Sequence, residues 1–364
     1  MPFSRILLED LHPEEQVRTR AVRLALAAAV IGAPIVALAQ QPPSTLSQAQ
    51  LIARLQAYMD SLAGADAFSG VVLLAHGADP VFQHAWGMAD RGAGRANDLD
   101  TRFNLGSINK VFTATVIRQL AAEGRLSLDD TVGHLLPDYP NHDVAARVTI
   151  RQLLEHRSGV GGNIFAAPAG GTRHDVRNIR DYLGLIASTP LEFVPGTRQQ
   201  YSNAGYVVLG AVIERLSGRS FYDAVRERIF QPAGMTSTDS YAVDSLPPNT
   251  AAGYTRFQPG MNTPGAPAAG PWRPNPDLLP GRGSSAGGGY STAADLLRFV
   301  VASHDGRVQA APRGIGVAGG APGLNAAVEE DLPGGYHLVV LANLDPPAAE
   351  RVARAVRGWL RADN

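Results

Sequence analysis

Phe103-Asn104-Leu105-Gly106-Ser107-Ile108-Asn109-Lys110 opens a helical pattern and carries two residues whose spacing matters. Ile108, Val111, Phe112, Val116, Ile117 and Leu120 recur as one apolar helix face, and Gly124 stands where a C′ glycine would close it. Ser107 and Lys110 lie three apart at the start of that helix, so their side chains share a face. Lys110 is the only lysine; every other member of the 32 Lys and Arg residues is arginine. Arginine stays protonated near neutral pH, whereas a buried lysine can give up its proton. The helix dipole favours an alkoxide at Ser107, and the amine can accept that proton, so the two form a nucleophile–base pair for metal-free acyl transfer. A bare S-x-x-K arises by chance in many chains. The helix start and the sole lysine single this one out.

Working outward, Leu51, Leu55, Met59 and Leu62 give a helix over 46–63. Val71-Val72-Leu73-Leu74 and Val81 to Trp86 flank Gly77-Ala78-Asp79-Pro80, a strand–turn–strand pattern. A second helix follows Tyr201, with Val207, Leu209, Val212, Ile213 and Leu216 apolar and Gly218 at its end. Residues 255–287 are Pro-rich and loop-like. Thr292 and Asp295 resemble a capping box for a helix through Leu297 and Phe299. Leu324 to Val328 and Tyr336 to Ala342 read as strands, joined around Pro333-Gly334-Gly335. Asp345 as N-cap with Pro346 at N1 would start a last amphipathic helix through Val352, Val356 and Leu360. Strands at both ends with helices between predict an α+β fold, an antiparallel sheet interrupted by a helical insertion.

Tyr201-Ser202-Asn203 sits at the entrance to the second helix. A phenol beside an ammonium has its pKa lowered, so Tyr201 is expected to relay protons. Asn203 presents both a donor and an acceptor, one for a substrate amide and one for Lys110. On its own, the tripeptide reads equally as a helix cap supplied by Ser202 or Asn203.

Taken in order, Phe103 to Lys110, Leu126-Ser127-Leu128-Asp129-Asp130, Leu153-Leu154-Glu155-His156-Arg157-Ser158-Gly159, Phe193-Val194-Pro195-Gly196, Tyr201-Ser202-Asn203, Pro232-Ala233-Gly234-Met235 and Ala286-Gly287-Gly288-Gly289-Tyr290-Ser291-Thr292 resemble the serine β-lactamase and penicillin-binding-protein superfamily. The class C-like branch, with its esterase and D-aminopeptidase relatives, is the most similar, over about residues 66–362. The resemblance implies a two-lobed fold, with a sheet lobe at about 66–100 and 288–364 and a helical lobe at about 101–287. It implies a serine acyl-enzyme without cofactor or metal. Ser107 would be the nucleophile, Lys110 the general base, Tyr201 the second base and Asn203 a substrate-orienting group. The family's third motif, Lys-Thr-Gly or His-x-Gly, aligns with Gly316-Val317-Ala318-Gly319-Gly320, which puts Val317 where a cation or imidazole belongs. Gly319 and Gly320 persist there, and the Gly320 N–H would join that of Ser107 in an oxyanion hole. Loss of the polar group should weaken carboxylate recognition, and Val317→His is expected to raise turnover of charged substrates. Arg157 also replaces the usual Thr, a milder change.

The remaining composition bounds the function. A formal net charge of −1 gives no electrostatic footprint for nucleic acid, and zero cysteines exclude thiol nucleophiles and Cys-ligated zinc. The expected partner is a small-molecule or short-peptide substrate. Arg18, Arg20 and Arg23 precede an apolar run from Leu24 to Ala39 that ends in Ala37-Leu38-Ala39. This predicts a signal peptide over 1–39 and a domain over 40–364, periplasmic or secreted, with membrane attachment only if the segment stays uncleaved. Oligomeric state leaves no trace in the sequence. Gly283-Ser284-Ser285-Ala286-Gly287 matches a nucleophile elbow but follows a Pro-rich loop rather than a strand, so neither it nor His304 and His337 is expected to form a triad. Gly314 to Gly319 fits G-x-G-x-x-G outside any βαβ unit. His134, His142, His156 and His174 lack metal-ligand spacing and read as surface or loop histidines. The alternative to an enzyme is a catalytically weak relative serving as an envelope binding module.

Overall fold

Val71-Val72-Leu73-Leu74 is apolar at every position because its strand is buried on both faces. In the computed structural model, which describes residues 46–257, 270–309 and 316–362, strand β1 (Gly70–His76) sends Val71, Leu73 and Ala75 into one core and Val72 and Leu74 into another. β1 pairs antiparallel with β2 (Asp79–Trp86). The remaining strands are β3 (Gly316–Ala321), β4 (Leu324–Leu332) and β5 (Tyr336–Ala342). The sheet order is β2-β1-β5-β4-β3 and every pairing is antiparallel, so the N-terminal hairpin closes onto the C-terminal meander.

The core on one face of this sheet joins helix α1 (Gln48–Gly64) to α5 (Ala348–Ala362), through Leu51, Leu55, Met59, Val352, Val356 and Leu360. The opposite core holds α2 (Asn109–Ala122), α3 (Asn203–Ser217) and α4 (Ala293–His304). The architecture is the expected α+β one. Sequence boundaries hold to within a few residues, with instructive exceptions. α2 is buried all round from Asn109 to Ile117, not on one face. Phe112 meets Phe230 and Phe299 edge-on at 5.2 and 5.1 Å, so neighbours enclose the helix.

The expected capping box at α4 is only half made. Thr292 accepts from Asp295 N at 3.2 Å, but the Asp295 carboxylate turns to Ser237 N and the Thr238 hydroxyl, both at 2.7 Å. α5 starts at Ala348 rather than at Pro346. The Asp345 carboxylate is drawn instead to Arg256 N and Gly323 N, each at 2.7 Å. Two donors of the first turn of α5, Ala349 N and Glu350 N, reach Asn325 Oδ1 on β4 at 2.6 and 3.3 Å. No described helix is long and apolar enough to cross a membrane. The basic flank and apolar run of residues 18–39 lie outside the described residues, as do Gly314 and Ile315 of the G-x-G-x-x-G match.

Candidate active site

Ser107 lies in a single 3₁₀ turn, Gly106–Ile108, that runs directly into α2. The turn is fixed from both sides. Asn104 Oδ1 accepts from Gly106 N at 2.9 Å, and Leu105 N donates to Gly289 O at 2.7 Å. Asn109 stitches the same turn to the 284–289 loop, donating to Ser284 O and accepting from Gly289 N, both at 3.3 Å.

Lys110, only 7% exposed, aims its amine at three groups: Ser107 Oγ at 3.2 Å, Asn203 Oδ1 at 2.7 Å and Ala286 O at 2.5 Å. Burial pushes its pKa from 10.5 down to about 7, and no carboxylate contributes. The stoichiometry suits a neutral amine. Asn203 Oδ1 and Ala286 O can only accept and use both N–H bonds, which leaves the lone pair for the Ser107 O–H. The Tyr201 hydroxyl donates to Ser107 Oγ at 2.6 Å. Its ring lies 4.7 Å from the Lys110 amine and stacks on His156 at 4.6 Å.

One electrostatic expectation is corrected. The Tyr201 pKa is raised, not lowered: the residue as a whole is 55% exposed, but desolvation around its hydroxyl outweighs the hydrogen bond to Ser107. Lys110, itself depressed toward 7 by burial, carries too little charge near neutrality to reverse that. Tyr201 therefore enters as a protonated donor. His156 differs too. It is half-buried in a left-handed conformation (φ 57°), accepts from Ser202 N at 3.1 Å and stacks on Tyr206 as well as Tyr201. Burial and then the nearby Lys110 hold its pKa down at about 4, so it is a neutral prop for the tyrosine. Its lack of metal spacing hid that role. Ser202 is the cap of α3, accepting from Gly205 N at 2.9 Å, which frees Asn203 for Lys110.

β3 forms the other wall. Gly319 faces the Ser107 turn so closely that an added methyl would strike the Leu105 carbonyl and lie 2.8 Å from Ser107 N. A methyl on Gly320, on the opposite face, would lie 2.7 Å from the Pro346 ring and 3.1 Å from Asn325 Nδ2. Both positions therefore require glycine. Asn325 Nδ2 donates to Gly319 O at 3.0 Å, which points that carbonyl toward β4. In a trans peptide C=O and N–H oppose each other, so the Gly320 N–H points to the open edge. A methyl built on Gly106 would lie 3.0 Å from that nitrogen. Val317 does not line the cleft; it pairs with Val328 and packs on the core shared with Ile108.

Ser107, Tyr201, Asn203 and Gly320 open into a cleft of about 1010 Å³ walled by Ile164, Phe165, Phe257, Trp272, Leu278 and Leu324 among others. The groups touching Ser107 are an amine and a phenol, a set suited to proton transfer and not to holding a metal. His304, Glu330 and Asp331 bring ligand atoms within 4.8 Å of one another, but none of the three lines this cleft. His337 lies 5.4 Å from His304, ring to ring. Ser285 is wholly buried behind Gly210, unlike an elbow nucleophile.

Sheet, helical layer and a serine in the cleft between them are the architecture of a penicillin-binding-protein-like fold. The chain belongs to the β-lactamase family, with residues 51–315 matching the family described as Beta-lactamase. It is 35% identical to esterase EstB of Burkholderia gladioli over 284 residues, 71% of each chain. It is 34% identical to penicillin-binding protein 4 of Amycolatopsis lactamdurans over 219 residues, 59% of this chain and 54% of that one. The chain thus spans about half the length of that relative. A solved penicillin-binding protein from Bacillus halodurans superposes with a TM-score of 0.70 at 30% identity, covering 84% of this chain and 99% of the other.

Proposed function

We propose that this protein is an exported serine esterase that forms an acyl-enzyme at Ser107 with neutral, largely apolar substrates. The observation that carries the reading is Ser107 Oγ held between Lys110 Nζ at 3.2 Å and Tyr201 OH at 2.6 Å, at the floor of an aromatic and aliphatic cleft. Lys110 takes the Ser107 proton as Oγ bonds to the ester carbonyl carbon. The oxyanion is held by the N–H groups of Ser107 and Gly320. The C–O bond to the alcohol then breaks, and the proton returns from Lys110 to the departing oxygen with Tyr201 as relay. Water attacks the acyl-serine along the same route, releasing the acid and restoring the Ser107 hydroxyl. Asn203 holds the amine and orients the substrate.

The mostly apolar wall of the cleft, to which Val317 does not contribute, favours esters over carboxylate-bearing peptides. The similarity to esterase EstB supports the same choice. Export rests on the apolar run 24–39 and its small-residue end.

The test is hydrolysis of p-nitrophenyl butyrate against a D-alanyl-D-alanine peptide and a chromogenic cephalosporin, with intact-mass detection of fluorophosphonate labelling. Ester turnover and a single adduct, both absent in Ser107→Ala, are expected. An unlabelled, inactive protein beside a reactive control hydrolase would leave the binding-module reading. The same mass spectrum, beginning at Gln40 after expression in a bacterial host, tests cleavage after Ala39.

A further inference from the structure

Asn325 makes hydrogen bonds beside the oxyanion hole that the proposed mechanism leaves unused. It is wholly buried on β4, directly opposite Gly320 in the β3–β4 register. A buried carboxamide must have both ends paired, and this one joins two structures that matter separately. Its Oδ1 takes Ala349 N at 2.6 Å and Glu350 N at 3.3 Å from the first turn of α5, and its Nδ2 donates to Gly319 O at 3.0 Å, with the Glu350 carboxylate as a further acceptor.

We propose that Asn325 is a positioning residue for the oxyanion hole, passing polarisation from the N-terminus of α5 to the Gly319–Gly320 peptide whose N–H faces Ser107. This rests on the acyl-enzyme reading above. The hydrogen bonds run head to tail: helix N–H to Asn325 Oδ1, Asn325 Nδ2–H to Gly319 O, then the Gly320 N–H toward the substrate. The positive end of α5 draws electron density from the carboxamide, which sharpens the Nδ2–H donor. That donor in turn polarises the Gly319 carbonyl and makes the Gly320 N–H more acidic. The pairing of β3 with β4 sets the plane of the peptide, and this bond adds a second hold on it. A pure capping role would need only an acceptor, which aspartate or threonine supplies as well. The donation to Gly319 is what capping does not explain.

Asn325→Asp separates the two roles, because it keeps an acceptor for α5 and loses the donor to Gly319. At pH 8 kcat for p-nitrophenyl butyrate should fall about tenfold or more, with KM within about twofold and Tm retained. As pH drops and the introduced carboxyl protonates, its O–H can donate to Gly319, so the deficit relative to wild type should narrow. Wild-type kcat at an unchanged Tm would overturn the proposal, as would a deficit that tracks loss of Tm at every pH. If N325D does not fold, Asn325→Leu decides: it is neutral, close in size and has no donor for Gly319, and wild-type kcat in it overturns the proposal. Failure of the esterase reading looks different. Wild type itself would then show no Ser107-dependent turnover, which removes both claims.

Discussion

At the scale of single residues, Lys110 sets the pH behaviour. Burial holds its pKa at about 7, and the base form is the neutral one. Activity should therefore rise with pH through about 7 and level off above, as seen in kcat/KM for a neutral ester whose own charge does not change. Lys110→Arg should keep the far-ultraviolet circular dichroism spectrum and lose about 10³-fold in kcat/KM, since guanidinium keeps its proton. Equal activity in that variant would end the deprotonation argument. The cluster of Ser107, Lys110, Tyr201 and Asn203 was legible because each sits in a short, local motif and meets the others through its own side chain. Ala286 and Asn325 were not. Ala286 acts through a backbone oxygen that any residue would supply, and Asn325 gains meaning only from what the register sets opposite it. The sign of the Tyr201 shift needed burial, which residue order does not report.

At the scale of elements, the edge strand β3 is the place where local pattern says least. Gly-Val-Ala-Gly-Gly-Ala has little intrinsic strand preference, and it is a strand because β4 pairs with it along its length. Gly319 and Gly320 answer to contacts on opposite faces, the Ser107 turn on one and Pro346 with Asn325 on the other. Val317 shares the face of Gly319 but belongs to the core, which changes the expectation for Val317→His. An imidazole there would displace apolar packing without entering the cleft. It should cost about 1–3 kcal/mol and leave the ratio of carboxylate-bearing to neutral ester turnover unchanged, read from urea midpoints and paired kcat/KM values. A rise in that ratio would return the position to substrate recognition.

Over the whole molecule, two buried bases tie stability to pH. His156 has a folded pKa of about 4 against an ordinary 6.5, and Lys110 about 7 against 10.5. In both cases the unfolded chain binds the proton first, so stability falls as pH drops from 10.5 to 7 through Lys110 and again from 6.5 to 4 through His156. Urea midpoints should fall in both windows. His156→Phe should flatten the lower one by an amount on the order of 1–3 kcal/mol. The antiparallel sheet interrupted by helices was readable because apolar runs of strand length stand at both ends of the chain. Strand order and register were not, because nothing local says that β1 takes β5 as a neighbour.

That pairing also fixes when the candidate site comes into being. β1 leaves the ribosome 272 residues before its partner, from Gly70 to Ala342 in the sheet register, and until then it has one neighbour instead of two. Contacts so far apart in sequence form late. The wall that carries Gly320 is translated just before β5, so Ser107 and Lys110 are made long before the proposed oxyanion hole. A nascent chain of this kind would stay chemically silent until β3 to β5 have been made.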